Sequence, residues 1–335
     1  MSQFNLTLAQ QIRSAGGPEA GDLAVVLAQL ALAGKVIARE LGRAALVGQL
    51  GTTGETNVQG ESVKKLDIWA NDVVVGALEA TGLVCTLVSE EIAEPLHLAQ
   101  HCARGRYIAC FDPVDGSSNL DVNGIVGTIF SIRRRRGHGA DHVETDTLSP
   151  GTQQVAAGYI MYGPGTLLVY TAGDGVHGFT LDPTIGEFVR SHQGIRIPAR
   201  GRTYSVNEGN SPRWDPSLRR YIEYLRSTDV ATGRPYTARY VGSLVADLHR
   251  TLLEGGIYLY PADVRTDGKA TGKLRLLYEA APMGFIAEQA GGKASTGRER
   301  ILAIQPTAYH QRVPLLIGSP EDVTLAEEFI RGETS

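Results

Sequence analysis

The sequence predicts an α+β fold with mixed sheets, and three observations carry that prediction. Two short, uncharged, β-rich runs, 83–88 and 107–111, read as strands buried on both faces. A helix is predicted over 22–41, where Leu23, Val26, Leu27, Leu30, Ile37 and Leu41 recur near helical spacing, with Asp22 as N-cap and Gly42 as stop. Residues 155–162, 166–171 and 175–181 then follow one another as strands with turn chemistry between them, which is the pattern of an antiparallel sheet.

Composition sets the bounds. A chain of 335 residues has room for two domains, and the turn-like, basic stretch Ile195-Arg196-Ile197-Pro198 sets the predicted boundary between 1–196 and 197–335. With 42% hydrophobic and 20% charged residues the chain is globular, not disordered or fibrous. A net charge of -4 argues against nucleic acid as a partner, because no basic excess is present to neutralise a phosphate backbone. Three cysteines, Cys85, Cys102 and Cys110, lack CxxC spacing, so a reducing compartment without a disulfide framework is expected, with Cys85 and Cys110 as core. No basic, apolar leader opens the sequence, and the longest apolar run, 23–34, reads as too short for a bilayer. A cytoplasmic protein without membrane partners is expected.

The chemistry gathers at Phe111-Asp112-Pro113-Val114-Asp115-Gly116-Ser117-Ser118. The 107–111 strand delivers Asp112 to its end, and Pro113 is expected to hold Asp112 and Asp115 in a stiff turn where the two acids converge. Gly116, Ser117 and Ser118 offer small side chains and amides that suit a phosphate oxygen. An anionic ligand beside two carboxylates calls for a cation, and hard oxygen donors favour Mg²⁺. The bland alternative is that Asp-Pro-x-Asp-Gly is simply a good turn. The 83–88 strand weighs against it, because it too ends in acids, Glu90 and Glu91, and ligands collect where neighbouring strands of such sheets end.

Elsewhere, 47–60 is rich in glycine and small polar residues and is expected to be a mobile lid without a regular element. Glu61 and Asp67 follow it, the latter on a helical stretch, 62–79. Arg133 to Arg136 read as a solvated strand end, with an anionic effector site as the minority reading, and 137–151 reads as a surface loop. In the second half, Asn207, Arg239, Tyr240, Tyr260, Lys273 and Arg275 form a donor set suited to a second phosphate and to sugar hydroxyls. Lys273 and Arg275 alternate along the chain, so both can face one pocket. His249 and His310 have no metal-type partners nearby in sequence and read as structural.

Taken together these residues resemble the class I fructose-1,6-bisphosphatases over nearly the whole chain. The resemblance runs through Asn57-Val58, Lys64-Lys65-Leu66-Asp67, Val88-Ser89-Glu90-Glu91, 111–119, 126–130, 181–188, Asn207-Glu208-Gly209, Arg239-Tyr240-Val241-Gly242-Ser243 and 272–279. The Asp-Pro-Val-Asp-Gly-Ser run alone points only to the wider superfamily of Mg²⁺-dependent, lithium-sensitive sugar and inositol phosphatases. The resemblance implies a layered αβαβα fold and hydrolysis of the 1-phosphate of fructose 1,6-bisphosphate, in gluconeogenesis or photosynthetic carbon metabolism. It implies that Glu90, Asp112, Asp115 and Glu279 hold one Mg²⁺, and Glu90, Asp112 and the Val114 carbonyl a second. Glu61 would assist a third, with Mn²⁺ or Zn²⁺ as substitutes. Asp67 and Glu91 match the pair that activates water, and Gly116, Ser117 and Ser118 the 1-phosphate turn. Asn207, Tyr240, Tyr260 and Lys273 match the 6-phosphate site, Arg239 reaching in from a neighbouring subunit of a homotetramer and Arg275 lying near the 1-phosphate.

Departures from the family pattern are specific. Glu61 stands where many members have Asp, and Asn210 replaces a tyrosine of animal members. The AMP site of animal members is only partly matched: Gly21, Tyr107 and Arg134 fit, whereas Ala20, Asp22, Ala24 and Arg106 differ. A sedoheptulose-1,7-bisphosphatase, or an enzyme acting on both sugars, is the nearest rival. A non-catalytic sugar-phosphate sensor is the rival of another class, disfavoured because every proposed acid is present.

Overall fold

The structure is a computed structural model that describes residues 6–14, 20–46, 48, 51–56, 62–102, 105–137, 142–264 and 270–334. Helices α1 (Leu8–Ser14) and α2 (Ala20–Leu41) open the chain. The second begins two residues before the expected cap, so Asp22 lies in its first turn, where a carboxylate complements the helix dipole, and pairs with Arg106 at 3.2 Å. The Gly21–Leu41 stretch, with mean hydropathy 1.6, is long and apolar enough by length and composition to cross a membrane. That corrects the expectation of a run too short to span: the helix continues past Gly34 for two more turns. Its inner face, including Val26, Leu30 and Ile37, is buried in the core.

The glycine-rich 47–60 stretch was expected to hold no regular element, yet β1 (Thr52–Thr56) pairs antiparallel with β2 (Ser62–Lys64). A hairpin ladder uses backbone groups alone, so small polar side chains do not forbid it. Residues 57–61, Glu61 among them, lie outside the described residues, as do 47, 49 and 50. Helix α3 (Lys65–Glu79) follows directly.

Next come β3 (Val84–Ser89), β4 (Leu96–His97), α4 (Ala99–Cys102), β5 (Tyr107–Asp115), β6 (Val126–Arg134), α5 (Val143–Thr147) and β7 (Gln154–Tyr162). Strands β8 (Thr166–Thr171), β9 (His177–Asp182) and β10 (Glu187–His192) complete an eight-stranded sheet of order β10-β9-β8-β7-β6-β5-β3-β4. Every pairing in it is antiparallel except β3 with β5. That one parallel pair sets the C-terminal ends of two strands side by side, Ser89 opposite Phe111. Gly34 of α2 comes so close to β7 that an added Cβ would lie 2.3 Å from the Cδ1 end of the Ile160 side chain, which would have to turn aside to admit it.

Three expectations fail in this half. Cys85 of β3 is disulfide-bonded to Cys102 of α4, with their Cα atoms 4.5 Å apart, so cysteine usage gives no support to a reducing compartment. Cys110 is free and buried. The arginine run is not a uniformly solvated end: Arg134 and Arg136 are exposed, but Arg133 and Arg135 are buried. Both reach inwards to backbone carbonyls, Arg133 Nη1 at the end of β6 to those of Ser149 and Pro150 (2.6 and 3.0 Å) and Arg135 Nη1 just beyond it to those of Cys102 and Gly105 (2.7 and 3.0 Å). The 137–151 loop carries α5, with Val143, Asp146 and Thr147 buried, while 138–141 lie outside the described residues.

The second half contains β11 (Thr203–Ser205), α6 (Pro216–Arg226), β12 (Thr237–Ala238), α7 (Leu244–Glu254), β13 (Ile257–Tyr260), β14 (Asp263–Val264), β15 (Ala270–Thr271) and β16 (Leu274–Arg275). It ends with α8 (Ala281–Gln289), β17 (Lys293–Ser295), β18 (Arg312–Val313), β19 (Leu315–Gly318) and α9 (Pro320–Arg331). Strands β12-β11-β13-β19-β17 form a five-stranded sheet.

Three of the four hydrophobic clusters among the described residues stack the layers. Leu30, Val74, Phe130 and Ile132 join α2 and α3 to one face of the large sheet, while Ile129 and Val169 on its other face meet α7 and α8. The same middle core takes Tyr258 and Ile317 from the small sheet, whose opposite face, Ile257 and Leu316, packs on Leu218 of α6 and Phe329 of α9. Residues one apart in a strand thus enter different cores, the period of two that a sheet covered on both faces requires. The result is the layered αβαβα architecture expected.

Candidate active site

The site lies where the parallel pair ends. Since Ser89 faces Phe111, the next residues, Glu90 and Asp112, emerge together, and the Glu90 amide still donates to the Phe111 carbonyl at 3.2 Å. The Asp-Pro-Val-Asp run is not a stiff turn. It continues β5, and its register against β6 slips between Asp112 and Asp115. Residues three apart in a regular strand point to opposite faces, and the bulge lets both acids face one site. Glu279 arrives from the π-helical turn Leu276–Ala280 leading into α8. Carboxylate oxygens of Asp112, Asp115 and Glu279, all buried, lie within 4.8 Å of one another.

Neighbouring groups hold each acid. Asp115 Oδ2 accepts from Ser243 Oγ at 2.8 Å and from the Val245 amide at 2.9 Å, at the N-terminus of α7, where the helix dipole favours a negative charge. Asp112 Oδ1 accepts from the Val114 amide at 2.9 Å. Arg275 Nη2 pairs with Glu90 Oε1 at 2.9 Å, and its Nη1 lies 4.0 Å from Glu279 Oε2. Gly116, at φ 74°, sits so near Ser243 that an added Cβ would lie 2.8 Å from the serine Cβ, so this turn requires glycine on two grounds.

Burial, more than any neighbour, pushes these carboxyls up. Asp112 is raised well above the usual range by burial and then by Glu90 and Glu279, and Glu279 by burial and then Glu90, with Arg275 opposing. Asp115 is pushed up to about 6 by burial, restrained by its bonds to Val245 and Ser243. Such a cluster ionises fully only when a cation joins it, and an all-oxygen, buried donor set fits a hard divalent ion. A cavity of about 230 Å³ is walled by Glu90, Asp112, Val114, Asp115 and Glu279 on one side and by Gly116, Ser117 and Ser118 beside them. Lys273 and Arg275 both line it, as their alternation suggested.

Asp67 is buried at the start of α3, where its Oδ2 accepts the Lys64 amide at 3.2 Å, while Oδ1 makes no hydrogen bond within 3.5 Å among the described residues. Burial raises its pKa to about 7, and Ser117 and Glu90 are both close enough to act on it. Lys64 in turn pairs with Asp121, which also accepts the Gly51 amide at 3.0 Å and so ties the β1–β2 hairpin to the segment after Ser117. Glu91 is half-buried on the turn after β3 and does not line the cavity.

A second pocket is lined by Asn207, Asn210, Trp214, Tyr240, Tyr260 and Asp263, and Tyr260 borders both pockets. Arg239 is exposed and lines neither, its Nη1 reaching the Ala238 carbonyl at 3.4 Å. Sequence reasoning did not single out Ser243 as the partner of Asp115, or Asp247, whose carboxylate takes the Val241 and Gly242 amides at 3.0–3.1 Å and shapes the loop after Tyr240. Their signal was local: a serine four residues before an aspartate at a helix start. Away from both pockets, Arg106, Tyr107, Arg134 and Arg136 line a cleft of about 380 Å³.

Residues 2–193 match the model of the fructose-1-6-bisphosphatase N-terminal domain, and residues 197–331 that of the C-terminal domain. The chain belongs to the class 1 fructose-1,6-bisphosphatase family. It is 52% identical over 323 residues to a class 1 fructose-1,6-bisphosphatase of Trichormus variabilis, covering 96% of this chain and 90% of that one. A class 1 fructose-1,6-bisphosphatase of Synechocystis sp. is also 52% identical, over 322 residues and with the same coverage. The crystal structure of Leishmania major fructose-1,6-bisphosphatase in holo form superposes with a TM-score of 0.90 at 41% identity, covering 98% of this chain and 99% of that one. Membership of the fructose-1,6-bisphosphatase family thus extends over both halves of the chain and over the fold itself.

Proposed function

We propose that this chain removes the 1-phosphate of fructose 1,6-bisphosphate with Mg²⁺ held by Glu90, Asp112, the Val114 carbonyl, Asp115 and Glu279, Glu61 assisting. The observation that carries the reading is the buried triad Asp112, Asp115 and Glu279, with oxygens within 4.8 Å, set directly before the Gly116–Ser118 turn. Bound divalent cations supply Lewis acidity to the phosphoryl group and to the attacking water. Asp67, buried and with its pKa raised to about 7, is suited to take the proton of that water, and Glu91 assists from the neighbouring turn. The Gly116, Ser117 and Ser118 turn receives the phosphoryl oxygens and Arg275 balances their charge. Asn207, Tyr240, Tyr260 and Lys273 hold the distal 6-phosphate, and Tyr260, bordering both pockets, sets the substrate across them.

We further propose a homotetramer in the cytoplasm, with Arg239 serving a neighbouring subunit's site. Support comes from the exposure of Arg239 and from Val25, Leu32 and Val36, which leave an apolar stripe on the outer face of α2. Phosphate release from fructose 1,6-bisphosphate with and without Mg²⁺ tests the activity. Mg²⁺-dependent release is expected, and its absence would leave the sensor reading.

A further inference from the structure

The distal pocket contains a charge arrangement that the proposed substrate contacts do not use. Arg213 ends the 3-10 segment Glu208–Arg213, and its Nη2 donates to Asn210 Oδ1 at 2.6 Å. Its Nε faces Asp263 Oδ2 at 3.3 Å, and the same oxygen faces Lys273 Nζ at 3.7 Å. One carboxylate is thus shared by two cations. Asp263 stands in the wall of the pocket with Asn207, Tyr240 and Tyr260, and Lys273 in the wall of the acid-lined cavity that Tyr260 also borders. Both cations are about half exposed, with side chains 52% and 48% accessible, so an incoming anion can reach them.

Charge decides what this arrangement does. Lys273 against Asp263 alone would be a neutral pair, and the carboxylate would compete with any phosphate for the ammonium. With the guanidinium added, the trio carries a net positive charge beside the pocket, which a dianionic phosphate ester would meet. Arg213 is also the better partner for the carboxylate, because its planar fork is steadied from one side by Asn210, whereas the lysine ammonium is a mobile point charge. We propose that Arg213 is a positioning residue for the distal phosphate: by holding Asp263 it frees Lys273 to bind that phosphate. Asn210, the departure from animal members at this pocket, then has a use as the brace of Arg213. The inference rests on the distal-phosphate reading given above and adds to it a residue and a mechanism.

The test compares steady-state kinetics with Mg²⁺ on fructose 1,6-bisphosphate and on fructose 1-phosphate, which lacks the distal phosphate. The readout is the ratio of kcat/KM for the first to that for the second. Arg213→Ala is expected to lower this ratio about tenfold through KM for the bisphosphate, about 1.4 kcal/mol. Adding Asp263→Asn to Arg213→Ala is expected to bring the ratio back to within about threefold of wild type, since the competing carboxylate charge is gone. Equal losses on both substrates, or no recovery in the double variant, would overturn the role of Arg213. Lys273→Ala separates the two levels. If it lowers the ratio and Arg213→Ala does not, the distal reading stands and the role of Arg213 falls; if neither lowers it, both fall.

Discussion

Arg275 Nη2 lies 2.9 Å from Glu90 Oε1 inside the acid-lined cavity, with both side chains almost fully buried. Breaking a buried pair leaves an uncompensated charge, which costs about 3 kcal/mol or more. Arg275→Leu is therefore expected to destabilise the metal-free protein by about that amount, because Glu90 and Glu279 lose their nearest cation. Saturating Mg²⁺ should close most of the gap by taking over the same carboxylates. Chemical denaturation in EDTA and in Mg²⁺ measures both; a deficit of equal size in the two conditions would mean that the arginine does not share its acids with the metal.

Asp112→Asn separates activity from stability. The side chain is buried among Glu90, Glu279 and Asp115, all of which oppose its ionisation. Neutralising it should raise the melting temperature of the metal-free protein at pH 7 while cutting turnover to below about a tenth of wild type, more than about 1.4 kcal/mol in barrier. A variant that kept more than that rate with Mg²⁺ would remove Asp112 from the metal set.

The pH dependence of metal-free stability has a definite sign. Asp67 and Asp115 have folded-state pKa values of about 7 and about 6 against an unfolded value of 3.8, both raised by burial first. A raised pKa means that the folded state holds its protons longer, so the stability these groups contribute is full below about pH 4 and is lost as the pH rises through about 6 to 7. Melting temperatures from pH 4 to 8 in EDTA should show that loss relative to an Asp67→Asn/Asp115→Asn variant. Mg²⁺ should reverse it, since binding favours the ionised acids. A flat difference between wild type and variant would mean that these acids titrate normally.

The strands carrying Glu90 and Asp112 were legible because buried β-rich runs leave a clear pattern, and so was the meaning of acids at their ends. The single parallel pairing that sets those ends side by side was not, because strand direction is decided by the crossover and not by residues within the run. Asp112 and Asp115 were seen as a pair, but as a turn, because Pro113 has the same signature in a turn as at a bulge. Arg133 read as surface because the groups that receive it, the Ser149 and Pro150 carbonyls and the neutral Ser149 hydroxyl, include no acid that a sequence reading would pair with an arginine. Cys85 and Cys102 carried no spacing motif, and their bond depends on how α4 folds back on β3. Asn207, Tyr240, Tyr260 and Lys273 were individually ordinary; their donor chemistry joined them as a set, and the family resemblance gave that set a 6-phosphate. Arg213 and Asp263 meet from a 3-10 segment and a two-residue strand about fifty residues apart in the chain, both too short to show a periodicity.

The last prediction concerns the outer face of α2. Val25, Leu32 and Val36 are 44%, 49% and 39% exposed, and their spacing of seven and four residues places them on one side of the helix. Hydrophobic side chains repeated along one helix face stabilise an interface when a partner covers them, and a charge placed at the centre must be desolvated there without a counter-ion. Leu32→Glu is therefore expected to lower the sedimenting mass from that of the proposed tetramer while the subunit stays folded, because the inner face of α2, with Val26, Leu30 and Ile37, is untouched. Arg239→Ala should leave the mass unchanged and raise KM for the bisphosphate, since its proposed role is contact with substrate across the interface. Sedimentation velocity together with KM on both variants checks the pair. An unchanged mass for Leu32→Glu would remove this face from the assembly, and a fully active monomer with unchanged KM would remove Arg239 from the site.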